Sequence, residues 1–337
     1  MAGSVTAWLL PPTQRRTLEE LTDDLDLTVG DADAKRSAFW AMLTLSAVIA
    51  TAGVLSDSTA TVIGAMIIAP LSTPIMGVAL GLAKRDGRTT RRSSTFVALG
   101  ALLVVGIGIV FSFAVPSSYD LLANSQISGR TSPGLLDLVA AIATGFAGAI
   151  AFARRDVAAV LPGVAIAISL VPPLAVAGVC LGQTAFALAL GAVLLFVSNL
   201  VALVLAGTLV YAVLGYSQES GVSPEGSRRK AYVALAGMLV AVMIPLAANT
   251  VVALALSVWT DRVQQTATTW IAQVPGGTVD SVIFSWPTVT VHVTTPGQVP
   301  DTQALLTDLE GEVPDGVKVV VSTSVGEQID AGTVGTG

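Results

Sequence analysis

Cysteine and histidine are nearly absent: Cys180 and His292 are the only ones in 337 residues. A lone cysteine excludes an intramolecular disulfide, and with a lone histidine no Cys/His metal set can form. No HExxH, no GxSxG and no Cys/His pair occurs, so nothing points to an enzyme, and no cofactor is expected. Charge is scarce as well. Asp, Glu, Lys and Arg make up 12% of the chain, and none of them falls in 37–56, 58–83, 93–119, 157–218 or 231–260. The net charge of −6 gives no footing for nucleic acid. No basic n-region with a small-residue cleavage site opens the chain, so a secretory signal peptide is not expected.

Apolar residues fill the space, at 53% of the chain with a mean hydropathy of +0.76. Crossing the hydrocarbon takes about 20 apolar residues. The sequence therefore reads as an all-α polytopic membrane bundle whose first partner is the lipid bilayer. Seven spans are expected, at 37–55, 59–83, 93–115, 135–153, 157–180, 184–214 and 231–259. Cys180, inside an apolar run, reads as a small packing residue.

Orientation follows from Lys and Arg in short loops. Lys84, Arg85, Arg88, Arg91 and Arg92 follow span two, Arg154 and Arg155 follow span four, and Arg228, Arg229 and Lys230 follow span six. With Arg15, Arg16, Lys35 and Arg36 they place the N-terminus in the cytoplasm of a cell whose inner membrane holds the protein. Seven spans then put the tail outside. From 261 onward it carries Arg262 and Lys318 against nine acidic residues. The turn LGQT (181–184) is short enough for span five to be re-entrant, which would reverse everything after it.

The tail reads as a small α+β domain over 261–337. VDSVIFS (279–285), TVTVHVT (288–294) and VKVVVSTS (317–324) are strand-like, with helices expected near 261–272 and 300–311, giving the order αββαβ. That order resembles small extracytoplasmic modules of the BON type. The alternation in TVTVHVT puts His292 on the solvent face. Residues 17–27, TLEELTDDLDL, read as a short amphipathic helix within an N-terminal cytoplasmic segment, 1–36, of no readable role.

Shifting the chain by 99 residues lays Asp57 on Asp156, Gly64 on Gly163, Leu71 on Leu170 and Pro74 on Pro173. The first three-span unit is then 37–115 and the second 135–214. Three is odd, so the second copy is expected upside down. Residues 57–86, DSTATVIGAMIIAPLSTPIMGVALGLAKRD, resemble the signature of a bacterial and archaeal membrane family known as domain of unknown function 389. The resemblance implies a multi-span bundle with an attached soluble part and brings no substrate or reaction. Many of its members carry a larger N-terminal soluble domain; here that part is short and the tail is the soluble domain.

Two prolines interrupt span two, Pro70 and Pro74, and Pro172 and Pro173 stand in span five. An interior proline removes one helical hydrogen bond and crowds the carbonyl four residues back. The freed carbonyls, with the hydroxyls of Ser72, Thr73 and Ser169, are expected to line a mid-membrane site for an ion or small polar solute, with Asn199 beside it. The competing expectation is tight packing: Pro70, Thr73, Pro74, Gly77 and Gly81 make one narrow helical face, with Gly77 and Gly81 as a small-residue pair. Asp57 and Asp156 stand just before spans and read as helix caps or gating groups. Asn249, four residues after Pro245, reads as an interhelical hydrogen-bonding group. Two functions follow: a transporter or channel with its site where spans two and five cross, or a non-transporting homo-oligomeric scaffold or sensor that presents the tail to a ligand or envelope partner.

Overall fold

The structure, a computed structural model, describes residues 11, 13–116, 119–157, 170–216, 227–285, 288–297, 299–314 and 316–325. It divides into two compact units, Met1–Asn249 and Thr250–Gly337.

The first unit opens with α1 (Leu18–Leu25). Thr17 accepts from the Glu20 N–H and the Glu20 carboxylate accepts from the Thr17 N–H, a reciprocal cap that starts the helix where the sequence places it. Then come α2 (Ala32–Leu55), α3 (Thr59–Ile68), α4 (Ser72–Lys84), α5 (Gly87–Ser112), α6 (Ser125–Thr131), α7 (Leu135–Ala153), α8 (Val171–Gly182), α9 (Phe186–Val213) and α10 (Ser227–Ile271), the last entering the second unit. Among the described residues five helices are long and apolar enough to cross a membrane, or six if the bent pair α3–α4 is one span. Of the seven expected spans, the fifth is present as α8 alone, since 158–169 lie outside the described residues. The seventh span and the first tail helix are one helix: no proline, glycine or cap separates 259 from 261, so nothing ends α10 there.

Side chains explain the tight packing. On α5 the buried residues Thr89, Ser93, Val97, Gly100, Val104, Gly108 and Ser112 recur every three or four positions, one stripe of mostly small side chains. A Cβ at Gly77 would stand 2.7 Å from Ser93 Oγ and one at Gly81 2.6 Å from Thr90 Oγ1, so α4 runs antiparallel to α5 at close range. Gly178 of α8 packs on Gly108 of α5, and Gly182 packs on Ser112. Numbers rise together along that contact, so α8 runs parallel to α5 and therefore opposite to α4.

In the second unit, β1 (Thr278–Ser285) pairs antiparallel with β2 (Thr288–Thr295), and β2 pairs parallel with β3 (Lys318–Val325). The parallel crossover runs through α11 (Thr302–Asp308). Val289, Val291 and Val293 turn inward against Val263, Ala267, Trp270, Ile271, Leu305 and Leu309. His292 lies between them on the other, half-buried face of β2. The expected αββαβ order is present, with its first helix supplied by α10.

Candidate functional site

α3 stops at Ile68 and α4 starts at Ser72, with a bend of 49° between them. Local chemistry accounts for the stop. Ala69 precedes a proline and is extended (φ −70°, ψ 120°), as the Pro70 ring demands. Among the described residues no backbone hydrogen bond crosses the break: the N–H groups of Ala69, Leu71 and Ser72 donate nothing to the last carbonyls of α3. One of those carbonyls is satisfied from elsewhere, since Ser46 of α2 donates its hydroxyl to Ala65 O at 2.8 Å. The hydroxyls of Ser72 and Thr73, half-buried at the start of α4, have no hydrogen-bond partner among the described residues. They do not bond the opened backbone; Ser46 reaches one of its carbonyls instead.

Pro74, Pro172 and Pro173 are not interior breaks. Pro74 is the third residue of α4, and Pro172 and Pro173 are the second and third of α8. The first turn of a helix has no carbonyl behind it, so its N–H groups are orphans and proline there removes nothing useful. Neither α4 nor α8 has a side-chain cap; their N-caps are Leu71 and Leu170. Each helix thus begins in an apolar setting with fewer donors to satisfy. Ser169, expected to line the site beside Pro172 and Pro173, lies outside the described residues.

Two close crossings flank these starts. A Cβ on Gly108 of α5 would meet Ala175 O at 2.7 Å and Gly178 Cα at 2.8 Å in α8. One on Gly207 of α9 would meet Ala79 Cβ at 2.7 Å and Met76 Sδ at 3.1 Å in α4. Asn199, on α9, is 6% exposed, and its amide has no hydrogen-bond partner among the described residues. Asn249 donates to Pro133 O at 2.6 Å, in the turn before α7 rather than on a facing helix. Cys180 is buried in apolar packing.

Asp57 does not cap the helix that follows it. Ser58, not Asp57, caps α3 by accepting from the Thr61 N–H. Asp57 has positive φ (51°) and reaches across the chain. It accepts from Ser125 Oγ at 2.7 Å and from the Gln126 N–H at 3.1 Å. These bonds, the Ser125 hydroxyl first, hold its carboxyl below the usual carboxylate range. Asn124 adds Val54 O at 2.8 Å and Gln126 adds Thr59 Oγ1 at 2.8 Å, so α6 is fastened over the α2–α3 turn. Asp156 takes a bidentate pair from Arg154, at 2.9 and 2.6 Å, and that pairing lowers its pKa. The segment Asp156 was expected to cap lies outside the described residues.

The N-terminal segment, expected to have no readable role, buries Leu21, Leu25 and Leu27 in the main core of the first unit. Its signal was there in the leucine spacing of 18, 21 and 25. What could not be read was the surface it packs on.

Residues 66–205 match the family model described as Domain of unknown function (DUF389). The chain is 29% identical over 188 residues to an uncharacterized protein of Methanocaldococcus jannaschii, a match covering 56% of this chain and 58% of that relative. The chain thus spans little more than half the length of the curated relative it matches. No solved structure matches the chain.

Proposed function

We propose that this protein is a transporter or channel for a cation or a small polar solute, with its site where the α3–α4 break and the start of α8 interrupt the bundle. The carrying observation is the break at 69–71, a helix interrupted in an apolar run with its last carbonyls unpaired across the gap. In lipid such backbone is tolerated where it lines a cavity or is buried in protein. Pro70 and Pro74 remove two donors at the break, and the last carbonyls of α3 remain there as acceptors. Those acceptors suit a cation or a donor-bearing neutral solute. The half-buried hydroxyls of Ser72 and Thr73 and the unpaired amide of Asn199 fit the same role.

The two three-span units read as copies in opposite orientation, and several registers support this. Adding 99 to the first residues of α4 and α5, Ser72 and Gly87, gives Val171 and Phe186, the first residues of α8 and α9. Arg85 and Thr184, the residues that turn each pair, both have positive φ, 60° and 59°. Gly108 packs on Ala175 and Gly178; the positions 99 away are Gly207, Met76 and Ala79, which pack on one another. The antiparallel course of α4 and α8 is what an axis in the membrane plane would produce. On this reading the short turn after α8 has the same form as the one after α4, and the basic clusters at Lys84–Arg92 and Arg154–Arg155 face the cytoplasm of an inner-membrane protein with its C-terminal domain outside.

A second reading, an oligomeric scaffold or sensor, is favoured by the self-contained core of the second unit and the Thr- and Ser-rich open face of its sheet, around His292. Water access separates the two. Single cysteines at Ser72 and Val171, in a Cys180→Ala background, are treated in cells with membrane-impermeant thiol reagents. Labelling at either is expected if a pathway runs along the break. Protection of both, while a cysteine at Ser128 reacts, would favour the scaffold.

A further inference from the structure

The N-terminal segment is tied to both three-span units at one end of the bundle. On the first unit, Lys84 at the end of α4 donates to Thr22 Oγ1 at 3.3 Å, and Arg92 of α5 donates to Thr28 Oγ1 at 3.1 Å. The Leu25 carbonyl stands 2.7 Å from where a Cβ on Gly77 would be. On the second unit, the Arg16 N–H donates to Ala153 O at 3.0 Å and the Arg155 N–H to Gln14 O at 2.9 Å, an antiparallel bridge between Arg15 and Arg154. The Tyr216 hydroxyl donates to Arg16 O at 2.7 Å, the Arg15 guanidinium lies 4.4 Å over the Tyr216 ring, and Arg155 pairs with Glu20 at 2.7 Å. Arg16 also pairs with Asp24, which folds the segment onto itself. Leu21 and Leu25, at 0% and 1% exposure, are driven into the core between these ties.

A segment that only finished the core would need one unit to lean on. This one crosses from α4–α5 to the ends of α7 and α9. Next to it, Tyr211 is fully buried with its hydroxyl unpaired among the described residues, edge-on to Tyr216 at 6.1 Å. Lifting the segment would let water reach that hydroxyl, so opening regains a hydrogen bond that closure withholds.

We propose that residues 13–31 are a cytoplasmic latch: they hold the two three-span units together at the cytoplasmic end and close the route from the break to that side. The inference rests on the transport reading for the purpose of the route, and on the contacts alone for the closure.

The test reads closure without a substrate. Single cysteines at Ala79, at the α4–α9 crossing, and at Ser72, at the break, are placed in the full Cys180→Ala chain in inside-out vesicles. An impermeant maleimide is added from the cytoplasmic face. Leu25→Asp is the released form. Its burial loss is worth a factor of about ten or more in an open–closed equilibrium, so labelling of Ala79→Cys should rise about tenfold. The locked form is Arg15→Cys with Arg154→Cys, joined as a cross-strand disulfide; oxidised, it should label more slowly than its parent. Equal rates in parent, released and locked forms would overturn the latch. The locked form keeps the test valid if Leu25→Asp fails to fold. A latch-dependent rate at Ala79→Cys with Ser72→Cys protected throughout keeps the latch and removes the pathway. Labelling at Ser72→Cys that ignores all three states does the reverse.

Discussion

Gly207 shows how little room single side chains have here. Its hydrogen faces Ala79 Cβ and Met76 Sδ, so any side chain must displace helix α4. Gly207→Leu is expected to cost about 1–3 kcal/mol through overpacking, read as a lower unfolding temperature in detergent. The prolines behave differently. Pro172 and Pro173 occupy the first turn of α8, so replacing each with alanine relieves no clash and mainly gives the unfolded chain more freedom. Each replacement should cost about 0.4–1 kcal/mol, less than the glycine substitution, by the same unfolding measurement. Asp57 makes a pH prediction. Its folded pKa lies below the ordinary aspartate value of 3.8, so its contribution is present above that value and lost as pH falls through the lowered one. Docking of α6 on the α2–α3 turn should weaken in that acid range, and Asp57→Asn should abolish the pH dependence; hydrogen exchange of the 124–128 amides reads both.

At the level of elements, the sequence was most legible where the signal was local. The starts and ends of α7 and α9 came within two residues of expectation because a charged or Gly-containing turn flanks each apolar run. The break in span two was readable from Pro70, since the residue before a proline leaves the helix wherever it stands. Pro74 misled: a proline's meaning depends on whether four helical residues precede it, and the helix start at Ser72 could not be read from the sequence. The roles of Asp57 and Ser46 are long-range, to residues 68 and 19 positions away, and no local pattern announces such partners. The tail helix was given a false start at 261 because charge reappears there, although Asp261 and Arg262 interrupt nothing in α10. For α1 the amphipathic pattern was plain but its partner surface was not. Its burial makes a stability prediction of its own: Leu21→Ala should cost about 2–5 kcal/mol of the first unit's unfolding free energy in detergent.

Across the whole molecule, each compact unit has a core of its own. The second unit is small and leans on one large residue. Trp270 is 1% exposed and donates its indole N–H to Asp301 O at 2.9 Å. A domain of this size keeps only a few kcal/mol in hand, and Trp270→Ala removes about 3–5. Limited proteolysis is expected to remove the tail of that variant while the apolar helices stay intact.

The helix α6 carries one more consequence. It sits over the α2–α3 turn and also packs on α9, where the Gly191 position lies against the Thr131 backbone. It precedes α7 as α1 precedes α2, and it lies at the opposite end of the bundle from α1. On the transport reading the two short helices are the two doors of an airlock, both shut in this structure and built from different residues. On that same reading, whichever door swings with less effort decides which side the chamber faces at rest, so the resting side is written in the two short helices rather than in the long ones between them.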